Sequence, residues 1–479
     1  MSNPRKISRR QFIREANCAA VGTASLFSSL FSLRLTAGVV SGSQLPGYKA
    51  MVCLFLSGGN DSFNMLVPRN PDAYSDYLGV RGFRDSSDNY VGLALQDTLL
   101  NPGVADADEL LPISSEGQPF ADFGIHHKLP ILQQLYNQGN AAFVSNVGTL
   151  VEPTTLAQYK NESTQLPKGL FSHRDEQVHW QTLVPQVRGA GPKGWAGRIA
   201  DCMAQVNQTG AISMNVSLSG TNVLQAGQST VPYITAPNGA VQLKDYGTDP
   251  TTQFAADSFL GQHYRNLYER SLAQGNRKSI DTAIAFADAT NTVTLNNSFP
   301  NTNSGKRLKA IAKIIAARGN LSMERQIFFL RRGGWDHHKE VITAQDALFT
   351  ELNDSITAFW NEMVSRGMEN DVVLFTASDF GRTLTTNGRG SDHAWGGNHF
   401  VIGGGINGGR IYGQYPLLAQ GGPQDVGRGR LLPTTSVDAY GAELASWFGA
   451  PSEELTTIFP NAGNFFDPIT TPFPLGMLG

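Results

Sequence analysis

Four aspartates and two histidines stand where a backbone can close around an ion: Asp61, Asp336, His338, Asp379, Asp392 and His393. Asp61 follows Ser57-Gly58-Gly59-Asn60, Asp336 and His338 sit in Gly333-Gly334-Trp335-Asp336-His337-His338, and Asp379 precedes Phe380-Gly381-Arg382. Asp392 and His393 open a block that continues Ala394-Trp395-Gly396-Gly397-Asn398-His399. Carboxylates and imidazoles together suit Zn, Mn or Fe, while a carboxylate-dominated set would take Mg or Ca. The expected cofactor is therefore a divalent metal, with these six residues as candidate ligands. Glycine at such points tolerates φ > 0 and lets main chain approach closely. Arg382 is expected either to bind an anionic oxygen or to make a structural salt bridge. Asn60 and Asn64 read as turn residues, His337 as a neighbour of His338, His399 as a packed strand residue, and His126 and His127 as structural.

Those residues need elements to carry them. Residues 50–56 (AMVCLFL) form a continuous apolar run, as a strand buried on both faces does, and stop at the first glycine pair. The runs 326–330 (QIFFL) and 371–376 (DVVLFT) end in the same way, so three strands each deliver an aspartate past their carboxyl end. In open α/β sheets that edge is where ligands bind. Further strands are expected at 141–147 and 399–402, and helices at 129–136, 306–318, 344–366 and 437–448, each closed by a glycine. Alternating strands and helices argue for a mostly parallel, helix-covered sheet. Residues 209–251, rich in Gly, Ser, Thr and Asn, read as a β-rich insertion or lid, and 291–304 as a polar loop. Residues 44–479 are expected to form a single domain.

The chain opens on Ser8-Arg9-Arg10-Gln11-Phe12-Ile13, followed by a mild apolar run over 19–35 that is broken by serines and closed by Arg34. That order matches a twin-arginine export signal spanning 1–43, too polar to anchor in a bilayer. It implies the twin-arginine translocase as an export partner and a periplasmic or secreted mature chain. Loss of six basic residues and one acidic residue with that segment takes the formal charge from -3 to -8. Nucleic acid is thereby disfavoured as a partner. Three cysteines, one of them inside the signal, supply neither a disulfide framework nor a thiolate cluster.

The blocks LSGGNDSFNMLVP, GGWDHH, TASDFGRT, SDHAWGGNHFVIGGGINGG and IYGQYP resemble the signature blocks of the exported bacterial family called Domain of Unknown Function 1501. The resemblance runs from Tyr48 to the closing IFPNAGNFF. That family is similar in turn to the alkaline phosphatase and sulfatase superfamily. The likeness implies an alkaline-phosphatase-like three-layer α/β/α sandwich with a metal site at the strand ends. It also implies that Asp61 is the first-strand metal aspartate, that Asp336 and His338 share one metal, and that His393 completes the first. Asp379 resembles the aspartate that precedes a ligand histidine, whose place Phe380 takes.

The superfamily nucleophile stands at a helix N-terminus, where free N–H groups and the dipole favour an anion. Ser172, opening Ser172-His173-Arg174-Asp175, is the candidate, with Thr154 and Thr155 as competitors. A plain helix cap with Asp175 explains Ser172 equally well. His173 and His179 share its helix, His173 being the nearer. Two functions follow. One is a metal-dependent hydrolase acting on an anionic phosphate or sulfate ester. The other is a non-catalytic exported binding or assembly protein on a degenerate site. A redox enzyme is disfavoured because no Gly-x-Gly-x-x-Gly fingerprint or cysteine cluster stands in a fitting context.

Overall fold

The strand predicted at the first apolar run is buried along all but its first residue, because helices cover both of its faces. A computed structural model describes residues 47–478, apart from 83–91, 98, 101–108, 189–192, 208–211, 240–242 and 244. The export signal therefore lies outside the described residues, as does part of the segment 209–251. In chain order the strands are β1 (Lys49–Ser57), β2 (Leu66–Pro68), β3 (Leu111–Ser114), β4 (Asp122–Ile125), β5 (Ala141–Gly148) and β6 (Asn215–Ser217). They continue with β7 (Tyr233–Ile234), β8 (Arg325–Gly333), β9 (Val372–Ser378), β10 (Gly397–Ile402), β11 (Ile411–Tyr412) and β12 (Thr435–Ser436).

The main sheet runs β11-β5-β10-β9-β1-β8-β6-β7, with β12 also paired to β5. Strand β10 is antiparallel to both neighbours, and the other pairings are parallel. A second, antiparallel sheet has the order β2-β4-β3. Alternation along the strands divides the core. Val52, Leu54, Leu56, Phe328, Leu330 and Leu374 join one cluster with the helices Pro130–Asn137, Asn303–Ala316 and Val341–Ser365. On the opposite face Phe375 meets Trp195 of the helix Trp195–Cys202 and Tyr440 of the helix Val437–Phe448. The fold is thus an α/β sandwich of three layers around a mostly parallel sheet. Each face buries aromatic and branched side chains that stabilise by roughly 1.5–3 kcal/mol apiece.

The segment 209–251 contributes β6 and β7, which extend the edge of the main sheet beyond β8. Two helices that the sequence pattern did not reveal follow it, Pro250–Leu260 and Leu267–Asn291. Their sequence is polar and carries Gly275, so no strong apolar stripe announces them. Among the described residues no helix is long and apolar enough to cross a membrane.

Two substitutions probe this architecture. A Cβ at Gly58, which has φ +123°, would lie 2.5 Å from the Asp336 backbone nitrogen. Gly58→Ala is expected to cost at least about 2 kcal/mol of unfolding free energy, read by denaturant titration. Burial pushes the Asp438 carboxyl, in the first turn of its helix, up to about 8. The folded chain then keeps a proton that the unfolded chain releases near its ordinary value of about 3.9, so stability falls as pH rises from about 4 through about 8. Relative to Asp438→Asn, the natural chain should lose up to about 1.4 kcal/mol per pH unit across that window. Parallel pH profiles of the two proteins would expose an error in this assignment.

Candidate metal centre

The parallel register sets three loops side by side, since Ser57 of β1 pairs with Gly333 of β8 and Leu56 pairs with Ser378 of β9. Chain leaving β8 is held by a bond from Trp335 N to Ser57 O at 3.3 Å, and the Trp335 ring is fully buried. That anchor brings Asp336 and His338 to the edge. After β9 the chain doubles back, pairing Arg382 with His393 in an antiparallel bridge, which sets Asp392 and His393 across from Arg382. Thr383 N donates to Asp392 O at 3.0 Å and Gly381 N to Trp395 O at 2.9 Å, closing the turn. The helix His173–Thr182 then points its first residue at the same edge, capped by Ser172.

Three histidines converge there on one carboxylate. Asp336 Oδ1 lies 3.0 Å from His338 Nε2 and 3.2 Å from His393 Nε2, and Asp336 Oδ2 lies 3.3 Å from His173 Nε2. His338 Nε2 and His393 Nε2 are 3.0 Å apart. Each ring is fixed from behind through its other nitrogen. His173 Nδ1 meets Asp379 Oδ2 at 2.7 Å, His338 Nδ1 meets Asp392 Oδ1 at 3.1 Å, and His393 Nδ1 meets Phe171 O at 2.9 Å. A carbonyl can only accept, and so can an ionised carboxylate, so in the neutral rings the protons sit on Nδ1 and the Nε2 lone pairs face inward. Lone pairs aimed at one another and at a carboxylate repel unless a proton or a metal cation lies among them. Proton-fixing acceptors behind inward-facing imidazoles are the usual outer layer of a metal site. The donors His173, Asp336 and His393 all fall within 4.8 Å of one another, with His338 beside them.

Proton and metal compete for these rings, because a ligand imidazole must be neutral. Burial alone would raise the Asp336 carboxyl, but the bond and charge of Arg382, joined by His173 and His338 wherever those rings are protonated, hold it below the ordinary range. Burial likewise opposes ionisation of Asp392, yet bonds from Asn387, Arg428 and His338 bring it down to about 2. His173 is raised, chiefly by its bond to Asp379, whereas burial keeps His393 below its ordinary value. The Asp336 and His338 side chains are 44% and 45% exposed, so a ligand reaches the cluster from solvent.

The remaining candidates occupy distinct places. Asp379 is fully buried behind the cluster, and its oxygens accept from Gly58 N at 3.1 Å and Gln177 Nε2 at 2.7 Å as well as facing His173. Asp392 backs His338 and pairs with Arg428. Asp61 is buried in an ion pair with Arg81, and among the described contacts it shares none with the three histidines. Arg382 is buried with its donors spent on Asp336, Gly58 O and Ser391. Ser172 Oγ accepts from Asp175 N at 3.5 Å as the helix cap. Thr155 caps the helix Leu156–Asn161, and Thr154 Oγ1 donates to Glu152 O at 3.0 Å. Phe380 lies against the rings of His173 and His393, at 4.8 and 4.7 Å between centroids, as an apolar floor.

His173 stands out in the sequence only as the histidine next to Ser172, not as a ligand, and Gln177 is marked only by the four-residue spacing that puts it on the same helix face. A second group, His126, His127 and Asp346, also brings donors within 4.8 Å. There Lys128 N donates to His126 Nδ1 at 3.1 Å, so the ring proton sits on Nε2, 3.3 Å from Asp346 Oδ1. That ring presents a donor to the carboxylate, not a lone pair to a metal.

Asp379→Asn tests the outer layer. An amide can turn its N–H toward His173 and drive the ring proton to Nε2, so divalent-metal affinity should fall about 10- to 100-fold. Competition against a chromophoric chelator, with circular dichroism to confirm folding, measures the effect. Unchanged affinity would mean that His173 is no ligand.

Similarity to solved structures is broad in extent and low in score. The crystal structure of Ps i-CgsB in complex with k-i-k-neocarrahexaose matches with a TM-score of 0.34 and 9% identity, over 88% of this chain and 77% of that one. PsFucS1 sulfatase from Pseudoalteromonas sp. gives 0.30 and 9%, over 80% and 67%. A TAB5 alkaline phosphatase mutant with Mg bound gives 0.24 and 11%, over 78% and 95%. No curated protein is matched. The family described as protein of unknown function (DUF1501) matches residues 48–444, and the chain belongs to that family.

Proposed function

We propose that this chain is an exported, metal-dependent hydrolase of phosphate or sulfate esters. The observation that carries the reading is the convergence of His173, His338 and His393 Nε2 on Asp336, each ring locked from behind. Those four residues would hold the ion, and a nitrogen-rich set favours Zn over Mg, Ca or Mn. A divalent cation bound there would act as a Lewis acid on an anionic ester. The protein's own groups do the rest. Asp379 and Asp392 keep two rings in the ligating tautomer, and Arg382 fixes Asp336 while offsetting its charge. Ser172 is assigned as the attacking hydroxyl, at the N-terminus of a ten-residue helix whose dipole favours a transferred anion.

The partners follow from that assignment. The ester substrate is anionic, the mature chain is too acidic to favour nucleic acid, and the paired Arg9-Arg10 supports passage through the twin-arginine translocase to the periplasm or beyond. Residues 44–479 serve as one domain. A second reading, an exported binding or assembly protein, draws on two particulars. Phe380 stands where the resemblance calls for a ligand histidine, and Asp61 is locked by Arg81.

Elemental analysis of the mature protein purified without chelator should find about one divalent transition metal per chain, lost in Asp336→Ala and His393→Ala. Aryl phosphate and aryl sulfate hydrolysis should fall at least about 100-fold in Ser172→Ala. Metal-free protein whose stability ignores added Zn or Mn sinks the metal assignment. Bound metal with no ester turnover favours the second reading, and turnover that survives Ser172→Ala moves the nucleophile elsewhere.

A further inference from the structure

From the metal centre a line of single shared atoms leads outward to one guanidinium. His173 Nδ1 meets Asp379 Oδ2 at 2.7 Å, and Gln177 Nε2 donates to that same oxygen at 2.7 Å. Gln177 Nε2 also donates to Ser57 Oγ at 3.3 Å, and Arg331 Nη2 donates to Ser57 Oγ at 2.6 Å. Arg331 stands near the carboxyl end of β8, where its backbone N–H donates to Ser219 Oγ at 2.8 Å. Ser57 is 3% exposed, whereas Arg331 is exposed. A buried hydroxyl thus fixes a cation that is open to solvent.

The charge of Arg331 is unspent. A guanidinium carries five N–H donors, and among the described residues its one side-chain contact is Ser57, with no carboxylate in reach. The acidic groups around it are already committed. Asp379 accepts from Gly58 N and Gln177 and faces His173, and Asp336 is held by Arg382. Asp175 pairs with Arg188, and Glu176 is buried against Thr149. Arg174, next to His173 and three residues before Gln177, is also exposed, and its side chain has no partner among the described residues. Unpaired arginine on open surface needs no ligand, but one pinned by a buried serine beside a metal centre is placed to receive one. Its planar fork matches the paired oxygens of a sulfate, phosphate or carboxylate.

The direction of the line decides which anion this is. It leaves His173 through Nδ1, the nitrogen turned away from the Nε2 cluster, so Arg331 stands behind the ring and not among the ligand atoms. Arg382, the cation that does touch a ligand, has its donors spent on Asp336, Gly58 O and Ser391. Resting on the ester-hydrolase reading above, we infer that the substrate carries a second oxyanion, which Arg331 binds while the ester group occupies the metal centre. Arg331 is then a specificity residue. It selects polyanionic esters over esters of neutral alcohols, and Arg174 adds a second uncompensated charge beside His173.

Calorimetry on the Zn-loaded mature chain tests this with alkylphosphonates and α,ω-alkanebisphosphonates of graded chain length. At least one bisphosphonate should bind at least about tenfold tighter than the monophosphonate of the same length. Arg331→Gln should erase that difference while the monophosphonate still binds, and Arg331→Lys should keep part of it. The disulfonate and the dicarboxylate of the best length identify the oxyanion that Arg331 prefers. Competition against a chelator should give Arg331→Gln the Zn affinity of the natural chain. A gain that disappears only together with Zn affinity makes Arg331 a brace for His173 and overturns the inference, as does a gain that survives Arg331→Gln. Zn-dependent monophosphonate binding with no gain from a second phosphonate overturns it too, and leaves the ester reading standing. Absence of any Zn-dependent phosphonate binding overturns both.

Discussion

The candidate centre hangs on the bond between Arg382 and Asp336. A guanidinium with no exposed surface reaches out of the protein and holds, at 2.7 Å, a carboxylate that is nearly half exposed. Without it the Asp336 side chain would be free to rotate at the end of its loop, and the three imidazoles would have nothing to converge on. Arg382 is itself immobilised by Ser391 and by the Gly58 carbonyl, so the geometry of the β1 loop passes through one side chain into the ligand set. Charge-assisted bonds of this kind are roughly twice as strong as neutral ones, which suits a contact that must resist solvent.

The outer layer shows how much backbone is committed to three ring orientations. Phe171, a residue with a Cβ, adopts φ +69°. It does so one residue before the helix cap, with its carbonyl turned to His393 Nδ1. Positive φ in a bulky residue costs about 1 kcal/mol or more and persists where the surroundings over-determine it. Here the capped helix on one side and the histidine on the other supply that constraint. Phe380 completes the arrangement from below, filling the space between two imidazoles with a ring that cannot ligate.

The sheet was legible because β1, β8 and β9 are continuous apolar runs that end in glycine or in Ser-Asp, and buried parallel strands have no other way to look. The aspartate-bearing edge followed from those ends. The antiparallel sense of β10 was not legible, since a short apolar run carries no direction. Within the site, Asp336, His338 and His393 lie in glycine-rich loops whose composition points to them. His173 lies in an ordinary polar helix, and only the three-dimensional meeting with Asp336 distinguishes it from His179 two turns on. Asp61 sits in a loop as glycine-rich as theirs, yet Arg81, from a helix with nothing else to mark it, claims its carboxylate. Loop composition identifies ligand-competent backbone; it does not reveal which partner arrives first.

The central position of β1 has a consequence for how the molecule comes into being. Lys49 pairs with Arg325 and Ala50 with Val372, so the strand made first waits for partners made late. Until the ribosome has released most of the chain, AMVCLFL has no neighbour and no second layer to cover it. Such long sequence separation slows folding and leaves an aggregation-prone strand exposed during synthesis. A chain built this way gains from a chaperone that shields the central strand until β8 and β9 arrive to cover its edges.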